Sequence, residues 1–117
     1  MITRREAGIV ALQFVRELAV ESGLDLVLLD EYTIERSFGW MFFYTTRQAY
    51  ETGDPRYGLG GNAPVIVDRT DGSLHATGTA YDAEPYLDAY EALGPERFHS
   101  DELGEFLNNL KLPAFGS

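Results

Sequence analysis

The 117-residue chain contains no cysteine, which excludes disulfide bridges and thiolate metal sites and suits a reducing compartment. No uninterrupted apolar run approaches the roughly 20 residues that a membrane-spanning helix requires. The start, Met1 to Glu6, has no signal-peptide pattern, so a cytoplasmic location is expected. Positive charge is scarce as well: 9 basic residues stand against 19 acidic ones, for a net charge of −10, and no lysine occurs before Lys111. Nucleic acid and anionic membranes both demand a basic face, so neither is expected as a partner. The balance is compatible with steering toward a basic protein surface, and equally with a solvated surface that keeps an acidic protein soluble.

What is present is a globular composition, 44% hydrophobic and 13% aromatic. The length is that of one domain, so residues 1–117 are expected to fold around a single core. The densest run of large β-formers is residues 39–46, Gly-Trp-Met-Phe-Phe-Tyr-Thr-Thr, which holds the single tryptophan, Trp40. Alternation puts Trp40, Phe42 and Tyr44 on one face and Met41, Phe43 and Thr45 on the other. This stretch reads as a central strand that continues past Thr46 toward Tyr50.

Around it the elements follow from local chemistry. Thr3-Arg4-Arg5-Glu6 has capping-box spacing and opens a helix whose apolar stripe is Ala7, Val10, Ala11, Phe14 and Leu18. Ser22-Gly23 ends it. Residues 24–36 read as a strand that turns polar from Asp30 onward. Residues 51–64, with four glycines and two prolines, form the one long loop. Pro64 to Asp68 is a strand, and the Asp71-Gly72 turn returns the chain as a hairpin partner from Ser73 to Thr79. Asp82 or Glu84 caps a helix over 84–93 with Tyr86, Leu87, Tyr90 and Leu93 inside, and Gly94-Pro95 stops it. A final helix begins at Ser100. Short links favour an antiparallel meander, because no helix-length crossover separates the strands. The expected fold class is therefore α+β: about four antiparallel strands packed by an N-terminal helix and C-terminal helices.

Catalytic signals are weak. His75 and His99 are the general-base candidates, but His75 falls on a polar-facing register with no serine or acid at a recognisable motif spacing. No His-x-x-x-His pattern offers a metal site. Gly58-Leu59-Gly60-Gly61-Asn62 lacks the lysine and the following helix of a phosphate loop. Gly78 reads as a place where an aromatic such as Trp40 lies across the strand. No enzyme activity, metal or cofactor is expected. The acids are uneven: residues 82–105 carry Asp82, Glu84, Asp88, Glu91, Glu96, Asp101, Glu102 and Glu105 against Arg97 alone.

Several segments together carry a resemblance. They are Gly39-Trp40 with Phe42 and Tyr44, Tyr50-Glu51-Thr52-Gly53-Asp54, Gly60-Gly61-Asn62-Ala63-Pro64-Val65-Ile66-Val67-Asp68, Gly72 to Ala80 with its Thr77-Gly78-Thr79-Ala80, and Tyr86 with Tyr90. The chain resembles the immunity protein 35 family, also called the YrhB domain, over about residues 5–92, with a helical extension over about 95–112. The resemblance implies a small cytoplasmic α+β protein, encoded beside a polymorphic toxin, that neutralises the toxin by stoichiometric binding. It also admits a chaperone-like or general protein-interaction domain. It implies no catalytic residues. Trp40 and Phe42 would be core, Gly61 and Pro64 would shape the strand entry, and Gly78 would allow close packing. For the partner-binding surface, residue type alone nominates Asp54, Arg56 and Tyr57 in the long loop. The acidic helix face of Asp82, Glu84, Asp88 and Glu91 is the second candidate, suited to a basic toxin site.

Overall fold

A computed structural model describes residues 1–54 and 63–110. The chain divides into two compact units, Met1–Ala76 and Thr77–Ser117. The first contains α1 (Arg4–Ser22), β1 (Leu26–Leu28), a 3₁₀ turn (Asp30–Tyr32), β2 (Ile34–Arg36), β3 (Gly39–Phe42), β4 (Tyr44–Thr46), α2 (Arg47–Thr52), β5 (Val65–Asp68) and β6 (Leu74–Ala76). The second contains α3 (Ala83–Arg97) and α4 (Glu102–Asn109). The fold is α+β. All strand pairs are antiparallel, in a four-stranded sheet of order β2-β3-β5-β6 and a two-stranded sheet of β1 and β4.

Helix α1 forms as its capping chemistry predicts. The Thr3 hydroxyl accepts from the Glu6 N–H at 3.1 Å, and the Glu6 carboxylate accepts from the Thr3 N–H at 3.0 Å. At the other end Gly23 takes the left-handed conformation, φ 71°, and its N–H bonds the Ala19 carbonyl. The buried positions are Ala7, Ala11 and Val15. Small side chains at 7 and 11 let the helix lie close to the sheet, where the cross-strand pairs Trp40–Val67 and Phe42–Val65 point at it. Burying each aromatic ring contributes a few kcal/mol at roughly 25 cal/mol per Å².

The central stretch departs from the expected single strand. Residues 39–42 pair with β2 and β5, the ladder breaks at Phe43, and residues 44–46 pair with β1 instead. The Phe43 carbonyl accepts from the Leu29 N–H at 2.8 Å, so the chain bends from one sheet into the other without orphaning that group. Tyr44 still points toward α1, in a second cluster with Val15 and Leu26, and Phe14 packs against both clusters. The strand does not reach Tyr50. The Thr46 hydroxyl accepts from the Ala49 N–H at 3.1 Å, capping α2, and Gly53 closes that helix at φ 69°.

Residues 24–36 are likewise not one strand. The 3₁₀ turn separates β1 from β2, held by the Thr33 hydroxyl donating to the Asp30 carbonyl at 2.8 Å, and the two strands belong to different sheets. The Asp71-Gly72 turn forms as expected, with Gly72 at φ 75°, but its returning strand stops at Ala76 rather than Thr79. The aromatic lying across Gly78 is Tyr86, whose hydroxyl would be 2.5 Å from a Cβ at that position. Trp40 instead lies beneath the Arg69 guanidinium, 4.6 Å from the ring centre.

Gly39 is the tightest point of the sheet. Its φ is 153°, and a Cβ there would run into the Val67 carbonyl oxygen of the neighbouring strand. Gly23 also has positive φ, but nothing lies within 4 Å of its missing Cβ. Gly39→Ala should therefore cost about 3 kcal/mol or more, and Gly23→Ala about 1 kcal/mol. Urea midpoints of the two variants give the test; equal losses would show that backbone conformation, not the close approach of β5, sets the cost.

Candidate functional site

Helix α3 begins where Asp82 takes extended N-cap geometry, φ −68° and ψ 173°, although its side chain makes no capping hydrogen bond. Pro85 sits in the first turn, where a missing N–H costs nothing. Pro85, Tyr86, Leu87, Ala89 and Tyr90 are buried. At 100° per residue these positions fill most of the helix circumference, leaving a narrow exposed arc of Glu84, Asp88, Glu91 and Ala92. Every charged residue on that arc is an acid. Asp82 is also exposed at the helix entrance, but as the extended N-cap it stands outside that arc.

Gly94 breaks the helix at φ 80° and ψ 172°, so the Gly94-Pro95 stop acts as expected, and a short helical segment follows. Phe98 then turns back onto Tyr90, edge to face at 5.2 Å between ring centres. Arg97, the sole arginine or lysine between residues 82 and 105, bonds Glu102 with two nitrogens at 2.8 and 3.1 Å. That fork holds the Glu102 carboxyl below the ordinary carboxylate range and raises the Arg97 guanidinium. The structure thus gathers Asp82, Glu84, Asp88 and Glu91 along one helix. Asp54 belongs to the other unit, half-buried just after the Gly53 cap, with its N–H on the Thr52 hydroxyl at 3.1 Å. Arg56 and Tyr57 lie outside the described residues.

The histidine prospects change in one respect. His75 is not on an exposed register: it is 9% exposed, because β6 turns Leu74 and Ala76 outward. Its Nε2 lies 2.7 Å from the Ser73 hydroxyl, and the Asp71 carboxylate accepts from the Ser73 N–H at 3.0 Å. Sequence reasoning passed over this group because Asp-x-Ser-x-His matches no catalytic spacing. On a strand, however, a spacing of two puts side chains on one face.

Ser73 holds the Asp71 carboxyl below the ordinary carboxylate range, its side chain first and its N–H second. Which group donates in the Ser73–His75 contact depends on the His75 tautomer. The chain of bonds pins the hairpin turn. His99 is exposed at the Phe98–His99 step, with its N–H on the Glu96 carbonyl at 3.2 Å. Among the described residues no three His, Asp or Glu side chains are grouped to hold a metal ion. No described helix is long and apolar enough to cross a membrane.

Two matches bear on this acidic helix and its sheet. The family model for Immunity protein 35 matches residues 11–93, which takes in α1 from its second turn, every strand and the whole acidic arc of α3. The chain belongs to the immunity protein 35 family. An Escherichia coli (strain K12) protein, Uncharacterized protein YrhB, is 47% identical over 55 residues, which cover 47% of this chain and 58% of that relative. The chain therefore spans less than two thirds of the length of this curated relative. No solved structure gives a significant match.

The lowered Asp71 pKa has a sign that can be checked. A depressed folded-state pKa stabilises the hairpin at neutral pH, and that stabilisation is lost as pH falls through the folded value, below the usual carboxylate range. Ser73→Ala should move the Asp71 titration, followed by carboxyl-carbon NMR, up toward the ordinary range. An unchanged titration would mean that Ser73 is not what holds the carboxylate.

Proposed function

We propose that this chain is an immunity protein that neutralises a cognate bacterial toxin by stoichiometric binding, with no catalysis of its own. The single observation that carries the reading is membership of the immunity protein 35 family through residues 11–93. The proposed partner is a toxin domain of a polymorphic toxin system with a basic surface, met in the cytoplasm. The acidic arc of α3 suits that partner: Glu84, Asp88 and Glu91 recur at i, i+4 and i+7, one line of carboxylates along a helix whose other sides are buried. Such a line complements the Lys and Arg side chains with which a toxin would hold an anionic substrate, and occupying them would block that substrate. Asp54, Arg56 and Tyr57 are proposed as a second contact region on residue type alone.

Exposed interfacial charges act mainly on association rate and on its salt dependence. Asp88→Lys with Glu91→Lys should therefore lower affinity for the toxin encoded beside this gene by about tenfold or more, through slower association, and flatten its dependence on salt. Surface-plasmon-resonance kinetics at two salt concentrations give the measurement. Unchanged kinetics would remove the α3 arc from the interface. Failure of the wild-type chain to protect cells co-expressing that toxin would overturn the immunity reading itself.

A further inference from the structure

The two outer strands of the four-stranded sheet are built differently. In the pairing of β5 with β6, the Asp68 N–H donates to the Ser73 carbonyl at 2.9 Å, and Ile66 is paired with His75. Antiparallel ladders alternate, so the main-chain groups of Ser73 and His75 point at β5 while those of Leu74 and Ala76 point away from the sheet. Bonding between β3 and β5 agrees: the Arg69 N–H donates to the Phe38 carbonyl at 2.7 Å, which turns Val65 and Val67 to β3 and Ile66 and Asp68 to β6. Among the described residues no strand lies along the outer edge of β6. Both Leu74, 38% exposed, and Ala76 are exposed there.

Open edges are ordinarily protected by charge, proline or a bulge. The opposite outer strand, β2, follows that rule: it carries Glu35 and Arg36, and Glu35 bonds Arg69 at 2.7 Å. No aspartate, glutamate, lysine, arginine or proline occurs from Gly72 to Tyr81. In a chain of net charge −10, two copies can approach closely only through a stretch free of acids. At β6 the unprotected edge and the uncharged stretch coincide.

We infer that β6 pairs with β6 of a second copy, joining two four-stranded sheets into one across a two-fold axis at His75. Under that axis Leu74 stands opposite Ala76 of the second copy, and Ala76 opposite its Leu74. Each of these two pairs exchanges two N–H···O=C bonds, so every outward main-chain group of β6 is satisfied. On the α1 side of the sheet a large side chain meets a small one in both pairs, which fills space evenly. The inference is argued from β6 alone and does not rest on the proposed function.

The test uses the protein itself. Analytical ultracentrifugation from low to high micromolar concentration should show a monomer–dimer equilibrium. Ala76→Pro removes only an outward N–H and spares the bonds to β5, so it should shift the dissociation constant at least tenfold toward monomer, with an unchanged thermal midpoint at concentrations where the wild type is monomeric. Leu74→Lys, which keeps the backbone intact, should do the same and covers the case in which the proline variant does not fold. In the wild type, hydrogen exchange at the Leu74 and Ala76 amides should slow as concentration rises, while the His75 amide stays protected throughout. A monomer at all concentrations, or Leu74 and Ala76 amides that exchange freely at every concentration, would overturn the inference. Protection of those two amides only when a toxin is added would also overturn it and give the edge to that partner.

Discussion

The antiparallel pairing of Gly39–Phe42 with Val65–Asp68 is the constraint on which the first unit depends. It requires a glycine at 39, because the Val67 carbonyl occupies the space a Cβ would need. Once that approach is made, Trp40 stands beside Val67 and Phe42 beside Val65 on one face. Only a helix with small residues at its contact points lies flat on four such side chains, and α1 supplies Ala7 and Ala11. The opposite face, with Met41 and Ile66, is buried as well. The strand is therefore apolar on both faces, which its unbroken run of large residues reflects.

Two arginines close the aromatic face at its margin. Arg69 lies over Trp40 and bonds Glu35, and Arg4 lies 4.9 Å over Phe42 and bonds Asp30 at 2.6 Å. Each guanidinium thus covers a ring with its flat side and keeps its charge paired at the surface. The ion pairs are exposed and contribute little by themselves, within about 1 kcal/mol. Their importance is geometric: they tie the 3₁₀ turn and β2 to the helix and to β5. Among the described residues, Arg4, Arg47, Arg69 and Arg97 are spent on such internal pairs.

That distribution bears on recognition. The acids of the α3 arc are exposed, while Arg97, the one arginine or lysine from residue 82 to 105, is forked onto Glu102. A protein that commits its cations to holding itself together presents its excess of anions outward. Under the proposed immunity role, this surface charge would face the partner. The hairpin histidine, His75, is engaged with Ser73 beside the Asp71-Gly72 turn.

Much of this was readable from local chemistry. The capping box at Thr3, the glycine stop at Gly23, the Asp71-Gly72 turn and the Gly94-Pro95 break depend only on residues within a turn of one another. So does the gathering of Glu84, Asp88 and Glu91, which follows from helical periodicity. Tertiary structure decided what depends on partners distant in sequence. The ladder breaks at Phe43 because β1 competes for Tyr44 to Thr46, and Thr46 then caps a helix that its own strand-like neighbours conceal. Tyr86, not Trp40, takes the space at Gly78, because both rings suit a missing side chain and only the folded chain shows which one arrives. His75 is buried because pairing with Ile66 fixes the face it shares, and alternation alone gives two faces without saying which is inside. Short-range geometry is written in neighbouring residues; strand partnership and burial are set by competition among segments far apart in the chain.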